Sequence, residues 1–283
     1  MRLQTIRERY INQLSGHFSK TEIDSILKKL IKYYFDWDSI IFLIQPNKMI
    51  SKKNEAILNE SLNQLIKNKP VQYIIGSTFF YKYIFQVDPS VLIPRPETEE
   101  LVSWLLEIES KDNYSKIVLD IGTGSGCIPI TLKLEQKSWK VNSIDICNDA
   151  IKIAKKNAKR LNADVNFFCR DINLIEDWSE SLDIIISNPP YITYKEKTNI
   201  KKNVLDYEPS SAIFVPNHNP LGFYKKIINF SINNLKSGGL LYLEINPIFV
   251  NELKGLFSKV FFDKLEVKKD FFGRYRMLKI QKR

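Results

Sequence analysis

The chain has 283 residues and a formal net charge of +10, with 44% hydrophobic and 26% charged residues. This length predicts one large domain or a large and a small one, and the composition is that of a folded protein. No apolar run approaches the ~20 residues that a membrane-spanning helix needs, and the first residues do not resemble a secretory signal. We therefore expect a cytoplasmic protein without membrane contact.

Cysteine and histidine usage narrows the possible chemistry. The three cysteines, Cys127, Cys147 and Cys169, have no C-x-x-C spacing, so we expect reduced thiols and no disulfide framework. With two histidines and no G-x-S-x-G sequence, a three-histidine zinc site is excluded and Ser-His-Asp chemistry is disfavoured. We expect no metal. The excess lysine is spread along the chain, which is typical of a solvated surface but could also steer the protein toward an acidic partner.

The first 72 residues have the apolar spacing of helices. Apolar residues recur three and four positions apart over residues 21–35 and 54–66, and Thr21 with Asp24 predicts a capping box. No candidate catalytic cluster lies in this part of the chain. Residues 1–72 are therefore interpreted as a small helical domain that docks a partner or supports the fold.

Residues 73–93 have the pattern of a β-hairpin between two domains. An aromatic and β-branched stretch at 79–87 predicts one strand, and Asp88-Pro89-Ser90 separates it from a short apolar run at 91–93. Pro94-Arg95-Pro96 then ends the extended segment, and a helix is predicted from Glu97 onward.

Strands and helices alternate over residues 94–283. Strands are predicted at 117–121, 141–146, 165–169, 182–187 and 240–245, and helices at 128–135, 149–161 and 221–235. This alternation predicts right-handed βαβ units and a mostly parallel sheet. Ligands of such sheets bind beyond the carboxyl ends of the strands, where both motifs described next are found.

The first of these strands runs into a glycine loop. The loop reads Gly122-Thr123-Gly124-Ser125-Gly126. Glycines permit positive φ and let a ligand approach the backbone closely. The third glycine comes one residue too early for the dinucleotide fingerprint, and the lysine of a P-loop is missing. The loop therefore favours a ligand without phosphates, whose amino-acid tail and ribose lie along it.

Two acidic residues follow later strands of the same sheet. Asp145 ends the second strand, where a carboxylate can accept both hydroxyls of a ribose. Asp171 follows the third strand and is placed to meet an adenine amino group. The competing interpretation of each is a solvated acid at a strand end. The glycine loop favours the binding role for Asp145 and leaves both interpretations open for Asp171.

The second motif, Asn188-Pro189-Pro190-Tyr191, directly follows the strand at 182–187. Consecutive prolines make the turn rigid, and the Asn188 side-chain oxygen and the Pro189 carbonyl can accept both hydrogens of an –NH₂ group. Tyr191 would supply an aromatic wall. Because an amide nitrogen is a poor nucleophile, fixed acceptors that aim it at a methyl sulfonium would replace a strong base. The motif predicts N-methylation of a planar –NH₂ group, whereas a turn that merely ends a strand is disfavoured by the glycine loop and Asp145.

Together these motifs resemble the Rossmann-like S-adenosylmethionine-dependent methyltransferases. More narrowly, nearly the whole chain resembles the peptide chain release factor glutamine methyltransferases, the HemK/PrmC family. The matching segments are residues 70–76, 91–99, 120–126 and 188–191, with Tyr207-Glu208-Pro209. Residues 94–99 discriminate best, because many amino methyltransferases share the 188–191 motif but lack this segment.

The resemblance implies an α/β fold, with a Rossmann-like class I methyltransferase sheet at 94–283, a small N-terminal helical domain at 1–72 and a β-hairpin linker at 73–93. It implies that residues 122–126 bind the methionine part of S-adenosylmethionine, Asp145 its ribose, and Asp171 with Ile172 its adenine. Asn188 and Pro189 would be catalytic, and Asn188 would also contact the cofactor. Residues 188–191 would hold the glutamine of a Gly-Gly-Gln loop in a bacterial release factor. The helical domain would help dock that protein, and we expect a monomer that does not bind nucleic acid directly.

The chain departs from the family pattern at two places. Ile172 stands where relatives often have an aromatic residue, and Ile245-Asn246-Pro247 stands where Gly and Gln are more frequent.

Three other functions would also account for some of these sequence features. A nucleic-acid adenine methyltransferase fits the net charge, but no target-recognition domain is evident. A ribosomal-protein glutamine methyltransferase is disfavoured by residues 94–98, and a non-catalytic cofactor-binding module is disfavoured by the intact glycine loop and Asn188.

Overall fold

The structure is a computed structural model that describes residues 1–111, 114–257 and 259–283. The helices are α1 (Leu3–Leu14), α2 (Lys20–Phe35), α3 (Ile41–Ile44), α4 (Lys52–Ile66), α5 (Val71–Ile75), α6 (Pro96–Glu109), α7 (Cys127–Glu135), α8 (Asn148–Leu161), α9 (Lys202–Tyr207), α10 (Gly222–Asn234) and α11 (Val250–Leu256). The strands are β1 (Ser77–Phe80), β2 (Tyr83–Gln86), β3 (Ile117–Ile121), β4 (Lys140–Asp145), β5 (Val165–Cys169), β6 (Leu182–Ser187), β7 (Ile192–Thr193), β8 (Phe214–Val215), β9 (Leu235–Glu244), β10 (Phe262–Lys269) and β11 (Tyr275–Lys282). Within the described residues, no helix is both long and apolar enough to cross a bilayer.

Residues 1–77 and 201–207 form a compact helical unit. Its apolar core takes fully buried leucine and isoleucine side chains from α1, α2 and α4. The capping box of α2 is formed by Ser19 and Glu22, with the Ser19 N–H donating to Glu22 Oε2 at 3.0 Å. The predicted pair of Thr21 and Asp24 was wrong, because Asp24 pairs instead with Arg7 at 2.6 Å.

The hairpin that follows is shorter than the sequence pattern predicted. The stretch at 79–87 is not one strand, because β1 and β2 pair with each other around a turn at Tyr81 and Lys82, where Tyr81 has a φ of 58°. Residues 91–93 were predicted as the second strand and are irregular. The Ile93 N–H donates to the Glu208 carboxylate at 3.1 Å instead of to a neighbouring strand.

Residues 78–200 and 208–283 form the larger unit, which contains a seven-stranded sheet. The strand order is β10-β11-β9-β6-β3-β4-β5. The strands β9, β6, β3, β4 and β5 are parallel, as predicted, whereas β11 and β10 add an antiparallel edge that was not predicted. The edge strand β10 has a register shift between Asp263 and Glu266. Chain connections run outward from β3 in both directions, so the point where the strand order reverses lies between β3 and β6.

Apolar side chains cover both faces of this sheet. On β6, Ile184 and Ile186 belong to one cluster, which includes residues of α6, α7 and α8, while Ile185 belongs to a second cluster with residues of α10 and α11. This alternation follows from the period of two in a β-strand. Because helices occupy both faces, the loops at the carboxyl ends of the parallel strands are the part of the sheet open to a ligand.

Candidate active site

A cavity of about 410 Å³ lies at the carboxyl ends of β3, β4, β5 and β6. Its size is within the range of roughly 300–1,000 Å³ that is usual for small-molecule sites. The residues predicted for cofactor and substrate line this cavity, with two exceptions, Gly126 and Tyr191. The fold thus brings together segments that are separated in sequence by up to 68 positions, from Gly122 to Pro190.

The glycine loop is tied to the neighbouring strand and has two kinds of glycine. The N–H groups of Gly122 and Thr123 both donate to the Ile144 carbonyl, at 2.9 and 3.1 Å. Gly124 has a φ of +52° and a Cβ placed on it would meet nothing within 4 Å. Gly126 has a φ of +82°, and a Cβ there would lie 2.8 Å from Cδ1 of Ile130. Gly124 therefore leaves room at the cavity, whereas Gly126 allows α7 to pack closely.

Asp145 is held rigidly beside this loop. Its Oδ2 accepts the N–H of Gly124 and its Oδ1 accepts the N–H of Cys147, both at 2.9 Å. Burial raises the pKa of the carboxyl group, and these two backbone donors oppose that rise. A carboxylate has about four acceptor positions, so these donors leave part of its acceptor capacity for a ligand. The arrangement fits a pair of ribose hydroxyls.

Polar groups without partners lie beneath and within the loop. Asp120 is completely buried, and its Oδ2 accepts the Ser143 hydroxyl at 2.6 Å. Burial raises the pKa of Asp120 to about 7. Within the part of the chain that the structure describes, Asp120 Oδ1 and the hydroxyls of Thr123 and Ser125 have no hydrogen-bond partner. Each such group costs about 1–3 kcal/mol when unpaired, so the charged amino-acid end of S-adenosylmethionine, with donors and acceptors, suits this loop.

The predicted adenine end of the cavity is formed by Asp171 and apolar side chains. Asp171 Oδ1 accepts the backbone N–H and the side-chain N–H of Asn173, at 2.8 and 2.9 Å, so one of its oxygens has a local capping role. Ile172 is buried at the cavity, and Ile146, which the sequence did not indicate, lies there with 65% of its surface exposed. Two aliphatic side chains therefore offer apolar surface to a flat base.

Asn188 belongs to a buried chain of hydrogen bonds. Its Nδ2 donates to Thr98 Oγ1 at 3.0 Å, and the Thr98 hydroxyl donates to Glu244 Oε2 at 2.6 Å. The Tyr191 hydroxyl donates to the other oxygen, Glu244 Oε1, at 2.8 Å. Burial raises the pKa of Glu244 and the pKa of Tyr191. The hydroxyl of Tyr191 is thus anchored to Glu244, and Tyr191 does not line the cavity.

Thr98 and Glu244 were not identified from the sequence as site residues. Thr98 lies in the first turn of α6, within the segment 94–99, and Glu244 is the last residue of β9, beside β6 in the sheet. Acidic residues at other strand ends were predicted from the sequence as binding residues. The position of Glu244 at a strand end could have indicated a site residue in the same way. The role of the Thr98 hydroxyl had no signal in the sequence, because its two partners are 90 and 146 positions away.

Two further contacts hold the loops around the cavity. Arg95 Nη2 is 2.6 Å from Glu208 Oε1, and this buried carboxylate also accepts the Ile93 N–H, so residues 93–95 are fixed to Glu208. Asn246, from the segment that departs from the family pattern, donates through Nδ2 to the Tyr191 carbonyl at 3.0 Å. The departure therefore supplies a contact to the motif.

Comparisons with known proteins agree with this architecture. Residues 7–76 match the family model of the PrmC N-terminal domain, and residues 99–208 match that of the methyltransferase small domain. A release factor glutamine methyltransferase of Flavobacterium psychrophilum is 38% identical over 284 aligned residues, covering 99% of both chains. Another, of Bacteroides thetaiotaomicron, is 40% identical over 242 residues, covering 85% of this chain and 86% of its own.

The solved structures show the fold of the larger unit. A methyltransferase from Pyrococcus furiosus matches with a TM-score of 0.51 at 17% identity, covering 82% of this chain and 98% of its own. At that identity the match concerns the fold alone, and it confirms the prediction of a Rossmann-like class I methyltransferase sheet. The relatives of 38 and 40% identity go further, because they cover most of both chains. On these grounds the chain belongs to the release factor glutamine methyltransferase family.

Proposed function

We propose that the chain transfers a methyl group from S-adenosylmethionine to the side-chain amide nitrogen of a glutamine in peptide chain release factors. The glutamine would be that of a Gly-Gly-Gln sequence. The names of the similar proteins from Flavobacterium psychrophilum and Bacteroides thetaiotaomicron support this substrate. One observation carries the proposal: the glycine loop and Asn188 line one cavity, and a Cβ placed on Gly122 would lie only 3.9 Å from the Asn188 backbone oxygen.

The chemistry that the chain must support is a displacement at carbon. S-adenosylmethionine supplies an electrophilic methyl group on a sulfonium. Residues 122–125 and Asp145 would hold the donor in this cavity, and Asn188 and Pro189 would accept the two amide hydrogens of the substrate. The amide nitrogen would form the new N–C bond as the S–C bond of the donor breaks, and one N–H proton would pass to water. Fixed acceptors would orient the nitrogen toward the methyl group, so that orientation and preorganised dipoles lower the barrier.

We also propose that the division into 1–72, 73–93 and 94–283 is a division of tasks. The N-terminal helical unit would bind the body of the release factor while the methyltransferase domain receives its glutamine. The match of residues 7–76 to the PrmC N-terminal domain supports a dedicated module. Exposed apolar side chains on α3 and next to it, Ile40, Leu43 and Ile44, offer a contact surface. We expect the enzyme to act as a monomer in the cytoplasm, where release factors work.

The substrate is tested by methyl transfer to competing acceptors. The chain is incubated with radiolabelled S-adenosylmethionine and, in parallel, with purified release factors, ribosomal proteins and DNA. We expect label on the release factor alone, and no label when the glutamine of its Gly-Gly-Gln sequence is replaced by asparagine. Label on a ribosomal protein or on DNA, with none on any release factor, would overturn the proposal.

The role of Asn188 is tested separately. Asn188→Ala removes one acceptor for the substrate amide, so we expect kcat to fall on the order of 100 to 1,000-fold, as for other preorganised polar contacts. Cofactor affinity, measured by calorimetry, should change little. Asn229→Ala, at an exposed position of α10, is the matched control and should behave as wild type. A full rate in the Asn188→Ala enzyme would refute the site.

A further inference from the structure

We infer that Thr98 and Glu244 are positioning residues, which hold the Asn188 amide in the orientation that presents Oδ1, rather than Nδ2, to the substrate. This inference rests on the proposed function and assigns it two further residues. Glu244 does not line the cavity, and Thr98, which does, has its hydroxyl engaged by Glu244 and Asn188. They act through Asn188, by deciding which end of its side chain faces the cavity.

The argument follows from counting protons along the hydrogen-bond chain. As a carboxylate, Glu244 can only accept, and its two oxygens accept the hydroxyls of Thr98 and Tyr191 at 2.6 and 2.8 Å. A threonine hydroxyl has a single proton. Since that proton is donated to Glu244, Thr98 can offer Asn188 only an acceptor.

The Asn188 side chain must therefore turn its –NH₂ toward Thr98, which it does at 3.0 Å. Its carbonyl oxygen then points away from Thr98 and is left for a ligand in the cavity that Asn188 lines. In the flipped orientation, the Asn188 –NH₂ would meet the –NH₂ of the substrate, donor against donor. Without a fixed neighbour, an asparagine amide can adopt either orientation.

Because this chain of hydrogen bonds is buried, it can set the orientation of the Asn188 amide. Thr98 is 3% exposed and Glu244 is 1% exposed, so solvent water does not compete for their hydrogen bonds. Burial raises the pKa of Glu244, while the hydroxyls of Thr98 and Tyr191 and the charge of Arg276 oppose that rise, and Glu97 adds to it. The Arg276 guanidinium also reaches the Tyr191 hydroxyl, with Nη1 at 3.3 Å from Oη. A cation and two hydroxyl donors thus favour the ionised, accepting form of Glu244.

The contact between Thr98 and Asn188 gives a physical reason for the segments 94–99 and 188–191 to occur together in one chain. Thr98 is set in place by its own segment, because Arg95 is fixed by the buried Glu208 carboxylate and Pro96 begins α6. The segment 94–99 can therefore be understood as the support that orients the acceptor in the segment 188–191. Its discriminating value in the sequence agrees with this role.

The test compares two substitutions of the same hydroxyl. Thr98→Val keeps the shape and removes the acceptor, whereas Thr98→Ser keeps the hydroxyl. Loss of one buried hydrogen bond corresponds to about 1–3 kcal/mol, so we expect kcat for release factor methylation to fall roughly 5 to 160-fold in Thr98→Val. Thr98→Ser should recover most of the rate. The affinity for S-adenosylmethionine and the KM for the release factor should change little in both.

Thr131→Val is the matched control, because Thr131 is a buried threonine outside the cavity whose hydroxyl has no partner among the described residues. It should behave as wild type. Glu244→Gln provides a second variant in case Thr98→Val folds poorly. It keeps the shape but replaces one acceptor oxygen with an N–H donor, and it should also lower kcat. Equal losses in Thr98→Val and Thr98→Ser, or a full rate in both Thr98→Val and Glu244→Gln, would overturn the inference.

A readout without turnover separates this inference from the proposed function. In protein labelled with ¹⁵N-asparagine, the Asn188 side-chain –NH₂ signals are identified by their loss in Asn188→Ala. We expect slow hydrogen exchange of these protons in wild type and Thr98→Ser, and faster exchange in Thr98→Val. If the wild-type enzyme methylates no release factor, the proposed function fails while this comparison still decides whether the Thr98 hydroxyl holds the Asn188 –NH₂. Unchanged exchange in Thr98→Val would show that the hydroxyl does not hold the amide.

Discussion

Replacement of Gly124 and of Gly126 by alanine should have different effects, although both residues lie in one loop and both have positive φ. A left-handed backbone costs an L-residue about 1–2 kcal/mol, and this penalty applies to both. At Gly126 the new Cβ would also lie 2.8 Å from Ile130 Cδ1 and 3.1 Å from Ala154 Cβ. Overpacking of this kind adds about 1–3 kcal/mol. Gly126→Ala should therefore lower the free energy of unfolding by about 2–5 kcal/mol, and Gly124→Ala by only about 1–2 kcal/mol.

Affinity for the cofactor should show the reverse order. The Cβ of Gly124→Ala would enter open space at the cavity, where S-adenosylmethionine must approach the loop. Urea denaturation followed by tryptophan fluorescence measures stability, since three of the four tryptophans, Trp104, Trp139 and Trp178, belong to the larger unit. Calorimetry measures the affinity. Equal losses of stability in the two variants, or normal cofactor affinity in Gly124→Ala, would refute the distinction between a packing glycine and a ligand-facing glycine.

Two further predictions concern the acidic residues. Asp145→Asn should weaken S-adenosylmethionine binding by about 1–3 kcal/mol in calorimetry. An unchanged Kd for S-adenosylmethionine in this variant would remove Asp145 from the site. NAD should not bind the wild-type protein. Because burial raises the pKa of Asp120 from 3.8 to about 7, the folded chain retains a proton that the unfolded chain loses between these values. The free energy of unfolding without cofactor should therefore fall as pH rises from about 4 to about 7, and this part of the slope should disappear in Asp120→Asn. A slope in the variant equal to that of the wild-type protein would assign the pH dependence to other groups.

The central strands could be predicted from the sequence because their signal is local. The predicted boundaries of the strands at 117–121, 165–169 and 182–187 agree with β3, β5 and β6. β3 and β6 are short runs buried between helices and bounded by polar or turn-forming residues, which is the pattern of a parallel strand, whereas β5 at the sheet edge is only partly buried. The motifs that follow β3 and β6 could be placed for the same reason, since their position at the strand ends depends only on the strands.

Other elements had no local signal of this kind. The turn between β1 and β2 is made by Tyr81 and Lys82, neither of which is a typical turn residue, so the stretch read as one strand. In β10 most side chains are charged and exposed, and a strand of that composition has no clear hydrophobic alternation. The support of Asn188 depends on partners far away in the chain. Only the tertiary fold brings Thr98 and Glu244 to it.

The composition of β10 has a consequence for the behaviour of the protein at high concentration. An edge strand exposes unpaired backbone groups, to which a strand of another molecule can add, and charged side chains with an irregular backbone oppose such pairing. β10 has both, because lysines and acids occupy most of its length, its register shifts between Asp263 and Glu266, and Lys264 has a φ of 47°. Features that make this strand difficult to recognise in the sequence thus protect this edge of the sheet against aggregation.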